Sequence, residues 1–256
     1  MTSLGSGAVL ASAGILAGLV GTAGGVTSLI SYPALLAAGL PALSANVTNN
    51  VALVACWPGA ALASQPELAG QGPWLRRWLP LSALGGAAGS MLLLSTPPGI
   101  FARVVPFLVA VGSLALLAQP WLAARHQKHR RGRTQGTRGV VLPFGLIATS
   151  VYNGYFGAGS GVMILALLLI TASPSLATAN ALKNMLIGSA AFISATTFAA
   201  FGPVDWAAVA PLGVGMFVGS TLGPRIVRCL PATLLRWLVG VIGIILAIRL
   251  WIAPSG

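Results

Sequence analysis

Carboxylates are almost missing from this sequence. Its 256 residues hold two acids, Glu67 and Asp205, against 14 Lys and Arg and two His. Both acids fall at connections between apolar runs. The runs therefore offer no carboxylate pair for general acid–base work and no Asp, Glu or His chain for a proton relay. Cysteine is just as sparse. Cys56 and Cys229 lie in or beside apolar segments and read as small buried hydrophobes. No CxxC and no His/Cys cluster exists, so neither a metal nor a cofactor is expected, and an enzyme is not. His126 and His129 sit in a basic connection and read as solvated. Charge of any kind is rare, at 6% of residues. Soluble domains carry about 25%. A chain so poor in charge cannot build a dispersing surface, which excludes an ordinary soluble protein.

What the sequence has instead is apolar bulk. Hydrophobic residues make up 56% and the mean hydropathy is +0.91. Gly (33) and Pro (17) are plentiful, as in membrane helices. An integral membrane protein, all-α and polytopic, follows. The net charge of +12 could point to nucleic acid. However, the basic residues occupy short connections between apolar runs, the pattern of cytoplasmic loops. No nucleic-acid partner is expected; the expected partners are membrane lipid and a small substrate, and a homodimer is compatible with this pattern.

The runs can be read in order. Residues 5–22 and 26–39 are each short against the roughly 20 residues needed to span. Gly21-Thr22-Ala-Gly24-Gly25 separates them, which predicts a broken or re-entrant pair with a glycine-rich tip. Residues 5–20 could imitate a signal peptide but lack a basic flank, so they are kept in the fold. A longer span covers 42–65, then Pro66 to Pro73 reads as a loop. Spans at 78–95 and 100–122 follow. Trp57, Trp74, Trp78 and Trp121 read as interfacial anchors. Residues 123–138 hold six of the 14 basic residues and no acid, which predicts a cytoplasmic linker; binding of anionic headgroups there is a further option.

After this tract the pattern restarts. Gly18-x-x-Gly21-x-x-x-Gly25 matches Gly154-x-x-Gly157-x-x-x-Gly161. Asn46-x-x-Asn49-Asn50 matches Asn180-x-x-Lys183-Asn184. Pro80-Leu81 matches Pro211-Leu212, and Gly89-Ser90 matches Gly219-Ser220. The domains expected are a first membrane repeat, 1–122, the linker, 123–138, and a second repeat, 139–256, with segments at 140–157, 161–173, 175–201, 206–223 and 232–252. If each repeat crosses an odd number of times, 11 of the 14 basic residues are cytoplasmic and Arg103 and Arg249 lie outside. An even count gives nine inside and four outside. The positive-inside rule favours the odd count, hence two inverted-topology repeats with extracytoplasmic termini. Six crossings and ten satisfy this parity equally.

Two polar faces lie within the spans. Asn46, Asn49 and Asn50 share one helix face by their i, i+3, i+4 spacing, and so do Asn180, Lys183 and Asn184. Lipid would penalise both, so they must meet backbone, each other or a cavity. Interhelical hydrogen bonding and ligand binding both remain open for the Asn residues. Lys183 is the one ionisable residue well inside a span, with no acid to pair with. It either faces an anion-binding cavity or snorkels to the interface. The tips add Thr22, Gly24 and Gly25 in the first repeat and Ser160 and Gly161 in the second. A helix starting after each tip would aim free N–H groups at the midplane; close helix packing is the alternative use of these glycines.

With the duplicated glycine-rich first segment, the Asn-containing helix, the basic tract and Val204-Asp205-Trp206, the chain resembles the TauE/SafE-type sulfite exporter family, also called the sulfonate/sulfite permease family. The resemblance runs from Gly5 to about Trp251. It implies a bacterial cytoplasmic (inner) membrane transporter of small sulfur-containing anions such as sulfite, sulfonates or sulfoacetate. An uptake permease, or a channel for another small anion, is the alternative. The two tips differ in sequence, so they are not equivalent and one alone could touch ligand.

Overall fold

A computed structural model describes residues 4–129, 135–172, 175–226 and 232–252. All secondary structure among these is helical. The first half contains α1 (Leu4–Gly24), α2 (Ser28–Ala37), α3 (Ala42–Leu53), α4 (Cys56–Ala63), α5 (Gln65–Leu68), α6 (Gly72–Ser95) and α7 (Pro98–His129). The second contains α8 (Gln135–Tyr155), α9 (Ser160–Thr171), α10 (Leu176–Phe201), α11 (Trp206–Ile226) and α12 (Ala232–Ile252). Among the described residues four stretches are long and apolar enough to cross a membrane: Gly72–Ser95, Pro98–Ala118, Leu176–Phe201 and Trp206–Gly223. The helices Ser28–Ala37 and Ser160–Thr171 are apolar but short.

Two departures from the sequence reading have local causes. The span expected over 42–65 is broken at Val54 and Ala55. Pro58 lacks the N–H that would reach the Val54 carbonyl, and its ring crowds that carbonyl. Trp57 N–H takes the carbonyl instead, at 3.1 Å, in a tightened turn. The matching helix α10 has no proline and runs unbroken for 26 residues. The loop expected over 66–73 is partly helical: Pro66 sits in the first turn of α5, and Pro73 in the first turn of α6, where a missing N–H costs nothing. Helix also enters the basic tract from both sides: α7 continues to His129 and α8 starts at Gln135. Cys229 and residues 130–134 lie outside the described residues, as do the side chains of Trp121, His126 and His129.

Packing runs crosswise between the halves. α1 lies along α11, α8 along α6, and α7 along α12. Small residues permit it. A Cβ on Gly18 would fall 2.4 Å from the Met216 carbonyl oxygen, and one on Gly219 2.1 Å from that of Ile15. On the other side, a Cβ on Gly154 would fall 2.3 Å from the Gly86 oxygen, and one on Gly89 2.0 Å from the Val151 oxygen. Backbones this close are the small-xxx-small contact that lipid-embedded helices use. α2 buries Leu29, Tyr32 and Leu35; α9 buries Ile164, Leu165 and Leu168. Large apolar side chains such as Leu84, Met91, Phe144, Phe201 and Val214 point outward. That exposure suits a lipid surround.

Candidate functional site

The interrupted helices end at one place. Between the α1/α2 tip, the α3/α4 break and the α8/α9 tip lies a cavity of about 50 Å³. A single water needs about 10–15 Å³ by this measure, so the space admits several waters or one small ion. Its polar lining comes from Thr22, Thr27, Ser28, Asn153, Ser160 and Asn184, and its apolar lining from Leu53, Cys56, Trp57, Ala60, Ile187 and Ala191.

The glycine tips touch each other. Gly25 has φ 75°, and a Cβ there would sit 2.7 Å from the carbonyl carbon of Gly161. A Cβ on Gly161 would sit 2.5 Å from Cα of Gly25. Only glycine tolerates both the positive φ and this approach. Beyond the tips, α2 starts at Ser28 and α9 at Ser160, and both serines line the cavity. Each helix start carries a positive partial charge.

Asn153 supplies the chemically sharpest feature. It is 3% exposed and lines the cavity. Ser160 Oγ donates to its Oδ1 at 2.7 Å, while its Nδ2 has no partner. An unmet buried donor costs about 1–3 kcal/mol, which an acceptor in the cavity would recover. Ser28 Oγ accepts from Asn49 Nδ2 at 3.1 Å, which leaves its own proton to donate. The polar lining thus keeps two donors free, Asn153 Nδ2 and the Ser28 hydroxyl, while the Thr22 and Ser160 hydroxyls already donate within the protein, and no carboxylate lines the cavity.

The two polar faces serve mainly as braces. Asn46 Nδ2 donates to the Tyr155 carbonyl at 2.9 Å, at the last residue of α8. Asn49 is held between Ser28 and Ser31, which donates to its Oδ1. Asn50 Nδ2 donates to the Asn46 carbonyl at 2.9 Å. In the second half, three donors converge on the Thr22 carbonyl near the end of α1: Asn180 at 3.1 Å, Lys183 Nζ at 3.4 Å and Asn184 at 3.2 Å. Each face therefore reaches the end of the other half's first helix, whose last carbonyls lack helical partners. No hydrogen bond joins the two faces among the described residues.

Of the residues singled out by sequence, Thr22, Gly25, Ser160 and Asn184 line the cavity. Gly161 packs against Gly25 behind it, and Gly24 closes α1. Asn46, Asn49, Asn50, Asn180 and Lys183 are not on its surface. Lys183 is 0% exposed, so it does not snorkel. Ser28, Thr27, Asn153 and Trp57 line the cavity although sequence reading passed them over for this role. A lone Asn inside the apolar run just before the second tip was the available signal for Asn153. Trp57, expected at an interface, instead packs on Gly188, where a Cβ would lie 2.1 Å from the indole. Asp205 accepts from the Ala208 N–H at 3.1 Å as the cap of α11, and its own N–H donates to Thr48.

Comparison with known proteins yields one consistent group. The family model described as "Sulfite exporter TauE/SafE" matches residues 8–250. The chain is 27% identical to "Probable membrane transporter protein ORF9" of Sinorhizobium sp over 256 residues, covering 97% of this chain and 93% of that protein. It is 27% identical to a "Probable membrane transporter protein" of Haemophilus influenzae over 249 residues, covering 95% and 93%. It is 26% identical to "Probable membrane transporter protein YfcA" of Escherichia coli K12 over 255 residues, covering 94% and 88%. No solved structure gives a significant match.

Proposed function

The chain belongs to the sulfite exporter TauE/SafE family of membrane transporters, and on that premise we propose that it exports small sulfur oxyanions through the cavity between its halves. Sulfite, short sulfonates and sulfoacetate are the substrates this reading names, and the bacterial inner membrane is its location. The protein is a multi-pass transporter, not an enzyme. The observation that carries the reading is the unpartnered Nδ2 of Asn153, which lines a carboxylate-free cavity together with the free Ser28 hydroxyl. A sulfonate head presents three oxygens that accept hydrogen bonds. Asn153, Ser28, Ser160, Thr22, Thr27 and Asn184 surround it, and Gly24, Gly25 and Gly161 shape the tips behind them.

Transport proceeds by alternating access, with residues 1–122 and 139–256 as two inverted repeats that rock about the cavity. The crosswise packing of α1 on α11 and α8 on α6, and the contact of Gly25 with its counterpart Gly161, support such a two-fold relation. A cell-negative potential drives anion export, by about 2.3 kcal/mol per charge per 100 mV. Proteoliposomes loaded with sulfite, methanesulfonate or sulfoacetate should release them with saturable kinetics. Release that never saturates would make the protein a channel, and no release above empty liposomes would end the proposal.

A further inference from the structure

We infer that Lys183 sets the cavity's preference for anions from behind its wall, without touching the ligand. The inference rests on the proposed passage of oxyanions through this cavity, and it concerns where the attraction for them comes from.

Six helix ends abut the space. Three are starts, at Ser28 of α2, Cys56 of α4 and Ser160 of α9. Three are final turns, which line the space at Thr22 of α1, Leu53 of α3 and Asn153 of α8. Each start contributes about +0.5 of a charge and each finish about −0.5. The three interruptions therefore cancel as partial charges. The donors of the polar lining give direction to a ligand but no net charge. Among the described residues one ionisable group lies close by, Lys183, whose Nζ is 3.4 Å from the carbonyl of the wall residue Thr22. The other residues packed around that carbonyl, Asn180 and Asn184, are neutral. Neither carboxylate lines the cavity: Asp205 caps α11 and Glu67 lies in α5. An anion in the cavity favours the ammonium form of Lys183, which turns a balanced set of dipoles into a positive field. Its fully buried position keeps that field from being screened by water.

Asn49 occupies the matching position in the first half and holds the Ser28 and Ser31 side chains of α2 rather than a helix-end carbonyl. The charge is therefore present on one side only. Lys183 is a specificity-determining residue that acts through the Thr22 carbonyl, in contrast to Asn153, which meets the ligand.

Methanesulfonate and its neutral isostere dimethyl sulfone separate charge from shape. Both are titrated against the purified full-length protein, with binding read by calorimetry. Lys183→Gln keeps a donor for the Thr22 carbonyl and removes the charge. It should weaken methanesulfonate by about tenfold or more while leaving dimethyl sulfone unchanged. Lys183→Arg, always charged, should restore the preference. A double variant, Asn180→Lys with Lys183→Gln, moves the ammonium one turn along the same face; it should also restore it, and it serves if Lys183→Gln alone does not fold. Equal losses for both ligands, or none for either, would overturn the inference and leave the transport reading standing. Wild-type protein that binds neither methanesulfonate nor sulfite would remove the transport reading, and the inference with it.

Discussion

At the scale of single residues, the site divides into groups that face the cavity and groups that hold those groups in place. Asn153 belongs to the first set. Asn153→Ala removes its free donor and should weaken sulfite binding by about 1–3 kcal/mol, measured by thermal-shift titration. Asn153→Asp places a carboxylate against an anion and should abolish binding in the same assay. Gly188 belongs to both, since it lines the cavity and its missing Cβ is the seat of the Trp57 indole. Gly188→Ala should push that ring toward the cavity and slow transport in proteoliposomes, with smaller sulfite less affected than sulfoacetate. Equal slowing for both would argue against Trp57 as a wall of the site. The polar Asn and Lys faces were legible in the sequence because their spacing put them on one side of a helix. Their use was not legible, because a donor within a membrane span can satisfy a backbone carbonyl as well as a ligand. Which it does depends on what the neighbouring chain segment presents.

At the scale of elements, helix breaks matter more than helix lengths. The breaks after α1 and α8 are written as glycine clusters and could be read directly. The break between α3 and α4 is written as a single proline, Pro58, in a run that otherwise reads as one span. It separates the Asn face from the Trp57 wall and gives the first half a joint that the continuous α10 lacks. Pro58→Ala returns the N–H and relieves the ring clash. The expected outcome is a higher melting temperature in detergent together with slower transport, because a joint beside the cavity has been stiffened. A higher melting temperature with unchanged transport would show that the joint does not move in the cycle. The glycines between long helices act differently, as surfaces for close approach. Gly219→Val would drive its Cβ into the Ile15 carbonyl, 2.1 Å away, and should destabilise the α1–α11 pair by about 1–3 kcal/mol, read as a lower melting temperature.

At the scale of the whole molecule, the halves exchange partners: the first helix of each lies along a late helix of the other. The proposed inverted arrangement puts both termini outside the cytoplasm. A cysteine introduced at Gly256 should react with a membrane-impermeant maleimide in intact cells, above the parent chain's background. Reaction only after the cells are permeabilised would rule out the odd crossing count. The sequence by itself determined that the chain lives in a membrane, since 6% charge and 56% hydrophobic residues leave no other solvent for it. It also determined most helices and the glycine-marked breaks after α1 and α8, though not the break at Pro58, because local backbone preferences and hydrophobic run lengths act over a few turns. The family was within reach as well, since its motifs recur in order in both halves. Only the tertiary structure decided which polar groups meet space and which meet protein. Thr22 and Asn184 line the cavity while Asn46, Asn180 and Lys183 brace helix ends, and Asn153 is left with a free donor. The physical reason is that a hydrogen bond is satisfied in three dimensions. Spacing along a helix fixes the side on which a donor stands, and the packing of the other half fixes what stands opposite.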